Sequence, residues 1–190
     1  MSTLKVDTIL KRTGTGTITV GQSGDTISIP AGATLNSAGT NTLTGIDNTP
    51  SFFAYSPNSY QAISSSTWTA INTTNESYDT ANAFDTSTLK FIPQTSGKYF
   101  LFGNIGGDGN WGRNLVRLRI SKNNNSVGGG EIRNTITIDS SDGIHVSGVL
   151  ELNGSTDFVQ LMVYHEIGSS YNLINQGTLN FFGGYKLIGV

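Results

Sequence analysis

Three runs of this sequence alternate apolar and polar residues with a period of two. Val116, Leu118 and Ile120 fall on one side of an extended chain, with Arg117, Arg119 and Ser121 on the other. Ile144, Val146, Leu150 and Leu152 share one side, as do Val159, Leu161 and Val163. A strand puts residues i, i+2 and i+4 on one face, whereas a helix would scatter them. Between the runs lie GGDGNWGRN, KNNNSVGGG, DSSDG and LNGSTD, all rich in turn-forming residues. Short strands separated by glycine-rich turns predict a β-sandwich or barrel. The low charged fraction, 13%, and the abundance of Gly, Thr, Ser and Asn fit an all-β chain whose surface is polar but uncharged.

Some strands are apolar on both faces. Tyr99-Phe100-Leu101-Phe102 contains no polar residue, and Phe158–Tyr164 carries Phe158, Met162 and Tyr164 on its second face. Phe181-Phe182 and Tyr185-Leu187-Ile188 continue the pattern. One face of each strand in a monomeric sandwich meets water. A second apolar face therefore predicts a second buried surface, either a subunit interface or a covering of loops.

Aromatic residues divide the chain. None occurs in residues 1–49, and all follow Ser51, so a boundary is expected with segments 1–50 and 51–190 on either side. The first segment reads as short β pieces at Val6–Ile9, Thr17–Val20, Thr26–Ile29, Thr34–Leu35 and Thr42–Leu43. Each offers at most two apolar side chains, too few for one chain to build a core. Three chains meeting at an axis would pool those stripes into a β-rich trimeric stem; a flexible linker is the plainer reading. SGDTISIPAGATL resembles low-complexity stem sequences of bacteriophage tail and fibre proteins.

The second segment carries an ordered set of motifs. Lys90-Phe91-Ile92-Pro93 is followed by Gly97-Lys98-Tyr99, Ile120-Ser121-Lys122-Asn123, Gly148-Val149-Leu150-Glu151-Leu152, Asp157-Phe158-Val159-Gln160-Leu161 and Phe182-Gly183-Gly184-Tyr185-Lys186-Leu187. Together they resemble the globular head of complement and tumour-necrosis-factor-like proteins. The resemblance implies a ten-stranded jelly-roll sandwich that forms a homotrimer, with its first and last strands near the three-fold axis. On that mapping Phe52, Tyr55, Phe182, Gly184 and Tyr185 belong to the trimer interface. It also implies a tip, away from the stem, built from 94–96, 123–143 and 166–177, with Asn123, Asn124, Asn125, Tyr171 and Asn172 as its binding groups. The stretch 130–141 departs from the short connection the family has and is expected to add an edge hairpin.

Few residues offer chemistry. His145 and His165 are the only imidazoles, and neither sits in a metalloprotease or triad spacing. His145 lies in an alternating strand opposite Ile144 and Val146 and is expected on an outer face or an interface; His165-Glu166 ends a strand and enters a loop, where a metal or ligand role is the lesser option. Asp79 with Asp85, and Asp139 with Asp142, are the carboxylate pairs the sequence leaves open for hydrolysis, but Asp139–Gly143 has turn composition. No EF-hand spacing is present, so no cofactor is expected, with calcium on scattered carboxylates the remaining option. Gly106–Gly112 lacks the Lys-Ser/Thr ending of a phosphate loop. Arg113, Arg117, Arg119 and Arg133 are the main basic concentration and are expected on a solvated strand face. The N-x-S/T sequences at Asn72 and Asn153 are of the kind this composition produces by chance.

Net charge is −2 without a polybasic tract, so the electrostatic basis for nucleic-acid binding is missing. Zero cysteines exclude disulfides and thiolate metal sites. MSTLKVDTILKR lacks the apolar core of a signal peptide, and no apolar run is long enough to cross a membrane. The sequence thus predicts a non-enzymatic virion protein made in a host cytoplasm: a trimeric fibre or appendage projecting a jelly-roll head for host-surface attachment. Its N-terminus would join other virion proteins through Leu4, Val6 and Ile9, and its tip would meet host carbohydrate or protein. A capsid decoration or cement protein is the alternative.

Overall fold

The computed structural model describes residues 19–34, 47–108, 114–125, 132–138 and 143–188. The chain divides into two compact units, Met1–Thr42 and Leu43–Val190. In the first, residues 19–34 form turns rather than strands, closed by Asp25 N–H to Gln22 O at 3.0 Å and Ala33 N–H to Pro30 O at 3.1 Å. The piece expected at Thr26–Ile29 is therefore not a strand in the single chain, where Val20, Ile27 and Ile29 are exposed. With so few apolar groups and no strand beside it among the described residues, extended backbone there gains nothing from pairing. Leu4, Val6 and Ile9 lie outside the described residues.

The second unit is an antiparallel sandwich with one 3-10 turn, Gly177–Leu179. Its strands are β1 Ser51–Tyr55, β2 Gln61–Ile63, β3 Thr69–Ala70, β4 Asn75–Asp79, β5 Phe84–Asp85, β6 Lys90–Phe91, β7 Gly97–Gly106, β8 Asn114–Lys122, β9 Ile132–Ile138, β10 Gly143–Leu152, β11 Val159–His165, β12 Tyr171–Leu173 and β13 Phe181–Lys186. One sheet runs β10-β7-β13-β1-β4, and we call it the inner sheet. The other, the outer sheet, runs β5-β6-β11-β8-β9, with β3 also paired to β11; β2 and β12 form a separate ribbon. The two layers make the expected jelly-roll sandwich, with five strands in the inner sheet and six in the outer among the described residues, one more than the ten expected. The stretch 130–141 contains β9, the edge strand of the outer sheet and hairpin partner of β8, rather than an added hairpin.

The core lies between the layers and follows the alternation in the sequence. Val116, Leu118 and Ile120 from β8, Ile144, Val146, Leu150 and Leu152 from β10, and Val159, Leu161 and Val163 from β11 are all buried. Phe52 organises the aromatic part of this core. It stacks on Phe91 at 4.4 Å and Phe84 at 5.0 Å between ring centroids, and meets Phe182 edge-on at 5.0 Å. Tyr99 is fully buried, its hydroxyl donating to Thr95 O at 2.6 Å, and burial pushes its phenol up to about 12. At Gly103 the layers touch: a Cβ there would lie 2.6 Å from Leu161 Cδ1.

Strand directions define the two ends of the sandwich. At one end lie the start of β1, the start of β7 and the end of β10, since Ser51 pairs with Tyr185 and Leu152 with Gly97. This is the end where the chain enters from the N-terminal segment, and we call it the entry end. The far end holds Tyr55, Phe181, Gly106 and Gly143, together with the β2–β12 ribbon, which is bridged to it by Gly107 and Leu173.

Candidate functional site

The outward face of the inner sheet is aromatic. On β1 the side chains alternate so that Phe52 and Ala54 are buried while Phe53 and Tyr55 are half-buried on the other face. On β13, Phe181 and Tyr185 share that outward face, and on β7 Phe100 and Phe102 do. The rings join into a continuous ladder across the strands. Tyr78 and Phe53 lie 6.5 Å apart, Phe53 and Phe181 5.4 Å, Phe53 and Phe102 6.2 Å, Phe102 and Phe100 6.0 Å, and Phe100 and Tyr185 5.6 Å. Gly183 makes the close packing possible, because a Cβ on it would meet Phe102 Cζ at 2.7 Å and Phe53 Cδ2 at 3.1 Å. Toward the far end the face opens into a cavity of about 440 Å³ lined by Phe53, Tyr55, Ser77, Thr178 and Phe181.

This geometry corrects the expected interface residues. Phe52 and Phe182 are 0% and 1% exposed within the single chain, and Gly184 faces the core, where a Cβ would meet Leu101 Cδ2 at 2.5 Å. None of the three can meet a neighbour. Tyr55 and Tyr185 do sit on the outward face. The reason is phase: Phe52-Phe53 and Phe181-Phe182 put a ring on either side, so composition does not say which is inside. On β7 the polar flanks mark the answer, since Lys98 and Asn104 share the parity of Phe100 and Phe102. On β13 the same rule misleads, because Asn180 and Lys186 share the parity of the buried Phe182.

The outer sheet, also apolar on both faces along β11, is covered from within its own chain. Trp68, just before β3, stacks 5.2 Å from Tyr164; the Arg119 guanidinium lies 3.8 Å over Trp68 and that of Arg117 5.2 Å over Tyr164. Glu166 accepts from the Tyr164 hydroxyl at 2.8 Å and lies 3.7 Å from Arg117. Lys90 caps the ring of Phe158 at 4.2 Å. The arginines at 117 and 119 are therefore structural stacking groups rather than a solvated face. Arg133 is the cross-strand partner of Arg119, and Arg113 lies outside the described residues.

The residues expected to form one tip lie at opposite ends. Asn123, Asn124 and Asn125 follow β8 at the entry end, where Lys122 pairs with Val159; Tyr171 and Asn172 lie in the ribbon at the far end. Loop order along the chain does not reveal strand direction, which decides the end. Asn123 and Asn124 have φ of 54° and 61°, and Lys122 bridges Asn125, so the pair forms the two-residue hairpin turn that favours Asn. Asn123 is committed to the structure: its Nδ2 donates to Asp157 Oδ1 at 2.8 Å and its Oδ1 accepts from Phe158 N–H at 2.9 Å. Tyr171 is half-buried against the core, edge-on to His165 at 6.0 Å.

His165 is fully buried, with Nε2 2.9 Å from Ile63 O and Nδ1 accepting from Ile167 N–H at 3.3 Å. These partners require the Nε2–H tautomer and make the ring a tie between β11 and β2. His145 faces outward from β10 and is exposed, as expected. Asp79 is occupied by the N–H groups of Ala81 and Phe84 at 3.2 and 2.7 Å. Asp85 accepts from the hydroxyls of Ser87 and Thr88 and from their N–H groups, which together hold its carboxyl down at about 2. Among the described residues no group of three His, Asp or Glu side chains converges as a metal site, and no helix is long and apolar enough to cross a membrane. Asp139, Asp142 and the loop 109–113 lie outside the described residues.

No family model matches the sequence, and no curated protein matches it. Solved structures do match. The vertex protein P5 of phage PRD1 superposes with a TM-score of 0.55 at 13% identity, over 74% of this chain and 99% of that one. Murine APRIL, a tumour-necrosis-factor-like protein, gives 0.52 at 11% identity, over 72% and 98%. The globular domain of zebrafish complement 1qA gives 0.48 at 16% identity, over 73% and 96%. At these identities the likeness is one of fold, a jelly-roll sandwich like those of murine APRIL and the PRD1 vertex protein.

Proposed function

We propose that this chain is a virion structural protein in which three copies pack by the open face of the inner sheet and project the jelly-roll head for host-surface attachment. The observation that carries the reading is the outward-facing, half-buried ring ladder from Tyr78 to Tyr185, set beside an outer sheet that its own chain covers. A contiguous aromatic face of this kind is rare on a monomer and ordinary at an interface between subunits. The fold shared with the PRD1 vertex protein supports a place on a virion. The far end, opposite the start of β1, is the end we assign to the host. Three heads held on one stem would act together, so weak contacts by each suffice.

Sedimentation equilibrium of the full chain tests the assembly, with a mass near three chains as the expected result. Adsorption tests the role: excess purified protein is expected to slow attachment of the particle that carries it. If adsorption is untouched while particles lacking the chain lose heat resistance, the chain is a capsid cement instead.

A further inference from the structure

One cross-strand row crosses the whole inner sheet. Asn75 pairs with Tyr55, Tyr55 with Phe181, Phe181 with Asn104 and Asn104 with His145, so β4 and β10 end the row on opposite flanks. The cavity of Phe53, Tyr55, Ser77, Thr178 and Phe181 lies on the β4 flank, and His145 stands exposed on the β10 flank.

We propose that the imidazole of His145 from one copy enters the Phe53–Tyr55–Phe181 cavity of the next, so that each cavity is completed only by a neighbour. The inference rests on the trimer reading above. In the proposed trimer the copies point the same way, and the rotation axis is taken to run along the strands. Rotation about that axis preserves height, so the β10 flank of one copy meets the β4 flank of the next with its rows level. A three-fold ring joins unlike flanks in this head-to-tail manner. The cavity suits the occupant: three rings offer a flat apolar slot, and the hydroxyls of Tyr55, Ser77 and Thr178 offer partners to a ring nitrogen. None of its described lining residues is charged. Val149, the other exposed apolar residue on β10, stands four residues along the strand in the row of Phe100 and Tyr185, about 13 Å from His145 at ~3.3 Å per residue.

The chain has no cysteine, so introduced pairs report cleanly. Within one copy, positions 77 and 145 are four strands apart, about 19 Å, beyond the roughly 7 Å between Cα atoms that a disulfide allows. The double variant Ser77→Cys, His145→Cys is expected to give covalent dimers and trimers on mild oxidation of the full chain. Neither single variant should do so, and Ser77→Cys with Val149→Cys should cross-link much more slowly. A particle of three chains in which the 77/145 pair does not cross-link, or cross-links no faster than 77/149, overturns the inference and leaves the trimer standing. A mass of one chain overturns the trimer reading and this inference with it.

Discussion

Asn123 and Asp157 lock the entry end of the outer sheet across 34 residues of chain, the Asn123 amide donating to the Asp157 carboxylate at 2.8 Å. Lys122 Nζ approaches the other carboxylate oxygen at 2.8 Å, and the N–H of Asn153 at 2.9 Å. Burial would push this carboxyl up, but the hydrogen bonds from Lys122, Asn123 and Asn153 and the Lys122 charge outweigh it and hold it below its ordinary value. A carboxyl lowered on folding stabilises the fold above its unfolded value, near 3.9, and that contribution disappears as pH falls through the lower folded value. Asp157→Asn is therefore expected to lower the thermal midpoint at pH 7, by about 1–3 kcal/mol of stability, and to flatten its fall below about pH 4. Parallel melting curves for the two proteins from pH 7 to pH 2 would show that this carboxylate does not contribute.

Gly154 is the second constraint at that end. Its φ is +71°, and a Cβ on it would overlap the backbone of Thr95 and Ser96. Because the obstacle is backbone, no rotamer change relieves it. Gly154→Ala should cost more than about 1 kcal/mol in urea unfolding, against the gain of several tenths that the same exchange gives at an unstrained site. A neutral or stabilising result would mean that the 95–96 turn yields freely.

His165→Leu keeps the volume of a buried ring but abandons Ile63 O and the Ile167 N–H. Ile63 O keeps the Ser170 hydroxyl at 3.2 Å, so the main loss is the partner of the Ile167 N–H, which should cost about 1–3 kcal/mol and loosen the β2–β12 ribbon first. Hydrogen exchange of the ribbon amides, Ala62 through Ile63 and Tyr171 through Leu173, checks this. Exchange rates raised uniformly across the sandwich would place the ring's role elsewhere.

Phe102 lies mid-ladder on the open face, in ring contact with Phe53, Phe100 and Phe181. Phe102→Lys puts a charge where three copies are proposed to meet while leaving the core untouched. The expected result is a mass of one chain with an unchanged far-ultraviolet dichroism spectrum. An unfolded protein would not distinguish the readings, so Tyr185→Lys, nearer the entry end, serves as the second variant. A mass of three chains for both folded variants would place assembly on another surface.

What was legible in the sequence was periodicity, and what was not was phase and direction. Val116–Ile120 and Ile144–Leu152 set a largely polar face against an apolar one, Val159–Val163 has only Gln160 to mark its second face, and the apolar set of each packs inward as the alternation requires. On β1 and β13 neighbouring phenylalanines remove that contrast, and Phe52 and Phe182 prove to be core while Phe53 and Phe181 face outward. Asn123 and Tyr171 look alike as exposed loop residues, yet they lie at opposite ends, one held by Asp157 and the other resting on His165. Trp68 had no motif to betray it; its role depends on a loop laying it beside Tyr164, a contact nearly a hundred residues distant along the chain.

Gly103 against Leu161 has a wider bearing. With its two layers meeting there and Phe52 and its neighbours filling the space between them, this part of the interior is packed solid, unlike the larger barrels that swallow small molecules whole. Enlarging a side chain there would push the sheets apart, so change is tolerated more readily in the loops and flanks than in the filling.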